Sequence, residues 1–144
     1  MNTADIRALL DNFVPTGDEA ADTTRLYELT DALKKNDDAF LASDALFAIF
    51  EKYPDAGLGS PGPIVHTLES FSDKIPYEAF LLRSLDRKPT YMTLWMLNRV
   101  INGEKEEQTK EKYIRKMKEY AEHPNADDFA KREALEYYKY QTEE

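Results

Sequence analysis

The sequence predicts an all-α protein of about eight helices, and three observations support this. Apolar residues recur at helical spacing in every segment of the chain. Prolines, glycines and capping residues interrupt that spacing at short intervals, as helix ends do. No stretch alternates apolar and polar residues between turn signals, which would be typical of a half-buried strand. We therefore expect helices that are joined by short turns.

Eight helical segments follow from the apolar spacing and its breaks. In order, they cover residues 3–13, 17–35, 38–53, 61–72, 76–87, 91–102, 105–122 and 126–141. Short turns would join them into four antiparallel hairpins, whose spacing lies within the broad range of helical repeats. We expect an α–α superhelix of the HEAT or armadillo kind, and the alternative is an irregular orthogonal bundle.

Local signals predict where individual helices begin. The sequence TGDE at Thr16–Glu19 is the pattern of a capping box. Asp37, Thr90 and Asn125 precede the third, sixth and eighth segments, where polar N-caps are favoured. Pro76 fits the first turn of the fifth helix. Inward-facing residues of the eighth helix would include Phe129, and Leu9 would be one of those in the first.

Composition limits the range of functions. A chain of 144 residues indicates one domain, residues 1–144. The lack of cysteine excludes disulfides, thiol catalysis and cysteine-bound metals. His66 and His123 lack the spacing of a metal site, so we expect no metal and no cofactor. Neither a signal peptide nor a membrane-spanning segment is apparent, and we expect a cytoplasmic protein.

The net charge of −9 is unevenly distributed. Residues 1–57 contain 12 acidic and 5 basic residues, whereas residues 58–103 contain 4 acidic and 5 basic ones. Such acidity repels nucleic acid and anionic lipid and attracts basic partners. Asp22, Glu28, Asp31 and Asp44 lie outside the predicted helix starts, so no capping role explains them, whereas capping could explain Asp37 and Asp38. We expect partner contacts at Asp22, Glu28, Asp31, Asp37, Asp38 and Asp44.

The glycine-proline loop, residues 57–63 with the sequence GLGSPGP, resembles a phosphate loop only superficially. No strand precedes it, no lysine follows it, and its prolines remove amide donors. A tight corner between helices explains it better: Gly57 and Gly59 permit positive φ, and Ser60 or Gly62 can begin the next helix. The residues with this structural role would be Gly59, Ser60, Pro61, Gly62 and Pro63.

Three residues outside the acidic segments are further candidates for partner contact. His66 follows the loop and could also pair with a hydroxyl or carboxylate, which leaves an enzyme as an alternative. Trp95 and Arg99 are four residues apart and share a helix face, where they could stack or contact a partner. Between them, Asn98 would tie one helix to another. Gly103 would end that helix in a left-handed C-cap. Of Tyr137, Tyr138 and Tyr140, at least one should be exposed.

Residues 53–103 resemble small all-helical immunity proteins of bacterial polymorphic or contact-dependent growth-inhibition toxin systems. The resemblance rests on the stretches YPDAGLGSPGPIVHTLE and RKPTYMTLWMLNRVING. The residues involved are Tyr53, Pro54, Gly59–Pro63, His66, Pro89, Trp95, Asn98, Arg99 and Asn102. It implies a non-enzymatic protein that binds a cognate basic toxin domain and occludes its active site. The alternative is a helical-repeat adaptor for another protein.

Overall fold

The computed structural model describes residues 1–143, and within that range the chain contains eight α-helices and no strand, which confirms the all-α prediction. A 3-10 helix at Ala39–Ala42 precedes the third α-helix. The α-helices are α1 Thr3–Asp11, α2 Glu19–Lys34, α3 Ser43–Lys52, α4 Gly62–Ser70, α5 Tyr77–Arg87, α6 Tyr91–Gly103, α7 Glu107–Tyr120 and α8 Asp128–Thr142. In the described part of the chain, none of these helices has the length and apolarity that crossing a membrane requires.

The chain divides into two compact units, Met1–Phe80 and Leu81–Glu144. The boundary between them falls inside helix α5. The expectation of a single domain, residues 1–144, therefore stays a prediction, and the two units are described separately here.

In the first unit, alternate helices lie side by side. Helix α1 packs on α3 and α2 packs on α4, while α1–α2 and α3–α4 also pack as hairpins. The Thr3 hydroxyl donates to Asp38 Oδ1 at 2.5 Å, and Lys52 Nζ donates to the Asp11 carbonyl at 3.2 Å. The first contact joins the start of α1 to the turn just before the 3-10 helix and α3, and the second joins the end of α1 to the end of α3. Helices α1 and α3 therefore run in the same direction.

The second unit repeats this arrangement with α6, α7 and α8, which pack against one another. Tyr91 stacks on Phe129 at the start of α6 and α8, with ring centroids 5.4 Å apart. Near their ends, Gln141 Nε2 donates to Asn98 Oδ1 at 2.8 Å. Helices α6 and α8 are therefore parallel, with α7 between them in sequence. Parallel alternate helices are compatible with either a superhelix or a bundle.

Several predicted helix ends are wrong in detail because the capping residue is another one nearby. Asp18, whose side chain accepts from the Ala21 amide, caps α2, so TGDE is no capping box there. Asp127 caps α8 in place of Asn125. The third α-helix begins at Ser43 and not at Asp37. The Thr90 cap of α6 is confirmed, since Thr90 and Thr93 form a reciprocal capping box.

The glycine-proline loop is a tight corner, as expected, but its glycines have different roles. Gly59 and Gly62 have φ of 98° and 86°, and Gly57 has no positive φ. A Cβ added at Gly59 would lie 2.5 Å from the Gly62 Cα, so only glycine fits this corner without a shift. Helix α4 starts at Gly62 with no side-chain cap, so Ser60 is not its N-cap. Gly103 is also no left-handed C-cap, because its φ is not positive.

Most predicted core residues are buried, with two informative exceptions. Leu9 and Phe129 were expected to face inward, but 36% of Leu9 and 46% of Phe129 are exposed. Ala130 and Ala134, which the same apolar spacing of α8 also places inward, are nearly inaccessible. The small side chains of α8 face the core, and its large aromatic ring at Phe129 faces solvent.

Candidate functional site

Asp22 does not belong to a partner-facing surface, which corrects the sequence prediction. It lies in the first turn of α2 and is only 3% exposed. Its Oδ1 accepts from the amide and the hydroxyl of Thr16, both at 2.8 Å, and its Oδ2 accepts from the Gly17 amide at 3.2 Å. The carboxylate therefore fixes the turn between α1 and α2.

This geometry predicts a pH dependence of stability. The Thr16 amide lowers the pKa of Asp22 most; burial opposes it, and the Thr16 hydroxyl and Gly17 amide lower it further. A lowered folded-state pKa stabilises the protein above the ordinary value of 3.8, and this contribution is lost as the pH falls through the folded-state pKa. We expect Asp22→Asn to be less stable than wild type at neutral pH, with the difference shrinking at acid pH.

Urea denaturation at neutral pH and below pH 3.8 measures that difference. The matched control is Asp37→Asn, because Asp37 is exposed and forms no hydrogen bond or ion pair with the described residues. A stability difference for Asp22→Asn that does not change with pH would contradict the prediction.

Four of the other acidic residues form what we call the acidic surface: Glu28, Asp31, Asp37 and Asp38. All four are exposed, on α2 or in the turn that follows it. Glu28 lies 3.4 Å from Arg25, and Asp31 lies 3.8 Å from Lys34. Such exposed pairs contribute little energy, so a basic partner could displace these cations at small cost.

Asp44 occupies a different position from the one predicted. Because α3 begins at Ser43, Asp44 is in the first turn, where the helix dipole favours a carboxylate. The residue is half-buried, and its Oδ1 is buried without a hydrogen-bond partner among the described residues. Asp44 is therefore a poorer candidate for partner contact than the acidic surface.

His66 lies on α4 and is exposed. Its ring forms no hydrogen bond with the part of the chain that the structure describes, so no hydroxyl or carboxylate orients it there. An open surface pocket of about 540 Å³ is lined by residues 14–17 and 52–56, and His66 is not among its lining residues. The enzyme alternative therefore gains no support from this histidine.

Trp95 and Arg99 stack as the spacing predicts, with the Arg99 guanidinium carbon 4.9 Å from the indole centroid. Asn98 ties α6 to α8, also as predicted, by accepting from Gln141 Nε2. The same nitrogen donates to Asn102 Oδ1 at 2.8 Å. These contacts hold α6 in register with α8.

The sequence did not reveal that α6 and α8 both carry exposed and half-buried aromatic side chains, of which Tyr91 and Phe129 stack on each other. We call these rings the aromatic face, and its members are Tyr91, Trp95, Phe129, Tyr137 and Tyr140. On α6 they are four residues apart, and on α8 they follow the spacing of one helix side. Phe129 and Tyr140 are eleven residues apart, a repeat of about three turns, and that spacing was the available signal.

Tyr137, like Trp95, is a half-buried member of the aromatic face. Burial, followed by the charges of Glu133 and Tyr91, raises the pKa of Tyr137 to about 12. Glu133 precedes Tyr137 by four residues, so the two positions are neighbours on the surface of α8.

A cluster of hydrogen bonds links the end of α5 to the end of α7 and to the turn between α7 and α8. Tyr120 OH donates to Asp86 Oδ1 at 2.8 Å, and burial followed by this hydrogen bond raises the pKa of Tyr120. His123 Nε2 lies 2.7 Å from the Asp86 carbonyl, while its Nδ1 accepts from the Asn125 amide at 3.0 Å. A carbonyl only accepts, so His123 is a neutral imidazole protonated at Nε2. Both nitrogens are engaged in structural contacts.

Among residues 1–143, no group of three or more histidine, aspartate or glutamate side chains is placed to hold a metal ion. No protein-family model, curated protein or solved structure shows significant similarity to the chain.

Proposed function

We propose that the chain is a protein-binding module that recognises a basic protein partner, and that this partner is a toxin domain which the chain neutralises in the cytoplasm. The acidic surface carries the proposal. Its four carboxylates lie within eleven residues of the chain and are all exposed. The cations among them are Arg25 and Lys34, which form weak exposed pairs, and the exposed Lys35.

The physical advantage of such a surface lies in association. An acidic patch attracts a basic partner over distances of about one Debye length, roughly 8 Å at physiological ionic strength. It raises the association rate and disfavours acidic partners more than it raises affinity. Toxin domains that act on nucleic acid are commonly basic, so inhibition by an acidic protein suits the immunity function that the resemblance implies.

The proposal predicts slower association after charge reversal. The candidate partner is the C-terminal domain of the protein encoded immediately upstream. In the variant Glu28→Lys, Asp31→Lys and Asp37→Lys, we expect the association rate with this domain to fall about ten-fold. Stopped-flow mixing at low and high salt measures this. Asp38 is left intact because it accepts from Thr3.

A control variant separates local from overall charge. Reversing Asp73, Glu111 and Glu122, which are also exposed, changes the net charge equally. Equal slowing by both variants would contradict a role for the acidic surface. A growth assay tests the toxin itself. Expression of the C-terminal domain of the protein encoded immediately upstream should stop growth, and co-expression of the protein described here should restore it.

The aromatic face favours the second candidate, a helical-repeat adaptor. Tyrosine, tryptophan and arginine are preferred anchors in protein interfaces. If the upstream-encoded domain does not stop growth, or stops growth even when this protein is co-expressed, the adaptor becomes the better explanation.

A further inference from the structure

The turn between α7 and α8, residues 121–127, is attached to the end of α5 by two side chains, and we call it the His123 turn. His123 Nε2 donates to the Asp86 carbonyl at 2.7 Å, and Asn125 Nδ2 donates to the Arg87 carbonyl at 3.0 Å. The other ring nitrogen of His123, Nδ1, accepts from the Asn125 amide at 3.0 Å. One imidazole therefore attaches the turn to α5 and also orders the turn itself.

The two hydrogen bonds of the His123 ring give its nitrogens opposite roles. A carbonyl oxygen only accepts, so Nε2 carries a proton, and a backbone amide only donates, so Nδ1 carries a lone pair. Neutral imidazole meets both requirements in one tautomer. Imidazolium carries a proton on each nitrogen and can keep only the bond to the Asp86 carbonyl. Protonation of the ring therefore removes the bond from the Asn125 amide and leaves two donors facing each other.

The other titratable and charged groups near the ring come from three helix termini. They are Asp86, Arg87 and Lys88 at the end of α5, Lys116, Glu119, Tyr120 and Glu122 at the end of α7, and Asp127 and Asp128 at the start of α8. The Asp86 carboxylate is already engaged by the Tyr120 hydroxyl at 2.8 Å and by Lys116 Nζ at 3.4 Å. Carboxyl, tyrosine, lysine and arginine side chains ordinarily titrate outside the range of about pH 5 to 8, whereas imidazole titrates inside it. A structural change of the turn within that range is therefore assigned to His123.

We propose that the His123 turn is sensitive to pH: protonation of the ring at Nδ1 releases the Asn125 amide and loosens the turn that leads into Asp127, the N-cap of α8. The contact from Nε2 to α5 persists, so the change is local to the turn. His66 differs, because its exposed ring forms no hydrogen bond with the described residues and its protonation breaks no contact there. The inference goes beyond the proposed function, since it concerns the second unit alone and requires no partner.

An NMR titration of the intact protein from about pH 8 to about pH 5 tests the inference. The nitrogen chemical shifts of the His123 ring report its tautomer and its protonation, and the Asn125 amide reports the hydrogen bond. We expect a ring protonated at Nε2 alone at the alkaline end, and an Asn125 amide shift that follows the His123 ring through its titration. The protection factor of this amide against hydrogen exchange should fall roughly five-fold, since one hydrogen bond of ordinary strength is lost.

The matched variant is His123→Asn. The asparagine Oδ1 has the same position along the side chain as the histidine Nδ1, so it can accept from the Asn125 amide, but it takes up no proton in this range. We expect the Asn125 amide of this variant to be independent of pH, and His66→Ala to respond as wild type does. An Asn125 amide that is unchanged while the wild-type ring titrates, a neutral ring protonated at Nδ1, an equal response in His123→Asn, or a response lost in His66→Ala would each overturn the inference. The wild-type titration decides by itself if His123→Asn does not fold.

Discussion

Replacing Gly59 by valine is expected to lower the free energy of unfolding by about 3 kcal/mol, because backbone strain and steric overlap add. The φ of 98° is one that a β-branched residue rarely adopts. The new Cβ would also lie 2.5 Å from the Gly62 Cα, which is backbone and cannot rotate away. The corner between α3 and α4 would have to open. Urea denaturation followed by circular dichroism measures the loss.

Two glycine controls separate the causes. Gly17 has a φ of 94° but open space around it, so Gly17→Ala should show the strain alone, about 1–2 kcal/mol. Gly103 ends α6 without positive φ and with no neighbour in reach, so Gly103→Ala should be neutral or slightly stabilising. Wild-type stability in Gly59→Val would show that the corner is not tight.

The double variant His123→Ala/Asn125→Ala is expected to lose about 2 kcal/mol of stability, since two side-chain hydrogen bonds to the end of α5 disappear. His123 Nε2 donates to the Asp86 carbonyl, and Asn125 Nδ2 donates to the Arg87 carbonyl at 3.0 Å. Terminal carbonyls of a helix lack partners within the helix and depend on such donors. The His123 ring also accepts from the Asn125 amide and so orders the turn before α8.

His66→Ala is the control for this variant, because it removes an exposed imidazole from α4. We expect His66→Ala to change stability by less than about 0.5 kcal/mol. The measurement is again the urea midpoint at neutral pH. Equal effects of the two histidine replacements would mean that the contacts at the end of α5 contribute nothing measurable.

The fold was predictable because local patterns determine it. Apolar spacing and prolines located all eight helices, and Thr90 marked the start of α6 correctly. The predictions for single residues are wrong where contacts with residues elsewhere in the chain determine the position of a side chain. Asp22 looked like a surface carboxylate because nothing in the local sequence shows that the Thr16–Gly17 turn folds back onto it. Asn125 looked like a cap, although its side chain reaches back to Arg87.

The candidate sites were predictable only in part. The exposure of Glu28 and Asp31 and the Trp95–Arg99 stack follow from spacing within one helix. The aromatic face does not, because Tyr91 and Phe129 are separated by most of α6, all of α7 and two turns. Helical periodicity placed Ala130 and Ala134 on the inward side of α8 correctly, but it wrongly placed Phe129 there too. The smaller alanines occupy that side, and this leaves Phe129 outside.

The position of the single tryptophan has a practical consequence. Trp95 is half-buried on α6, wholly within the second unit, so its fluorescence emission follows the unfolding of that unit alone. Far-ultraviolet circular dichroism follows helices in both units. Coincident transitions by the two signals would mean that the chain unfolds in one cooperative step, whereas separated transitions would show two independently stable units.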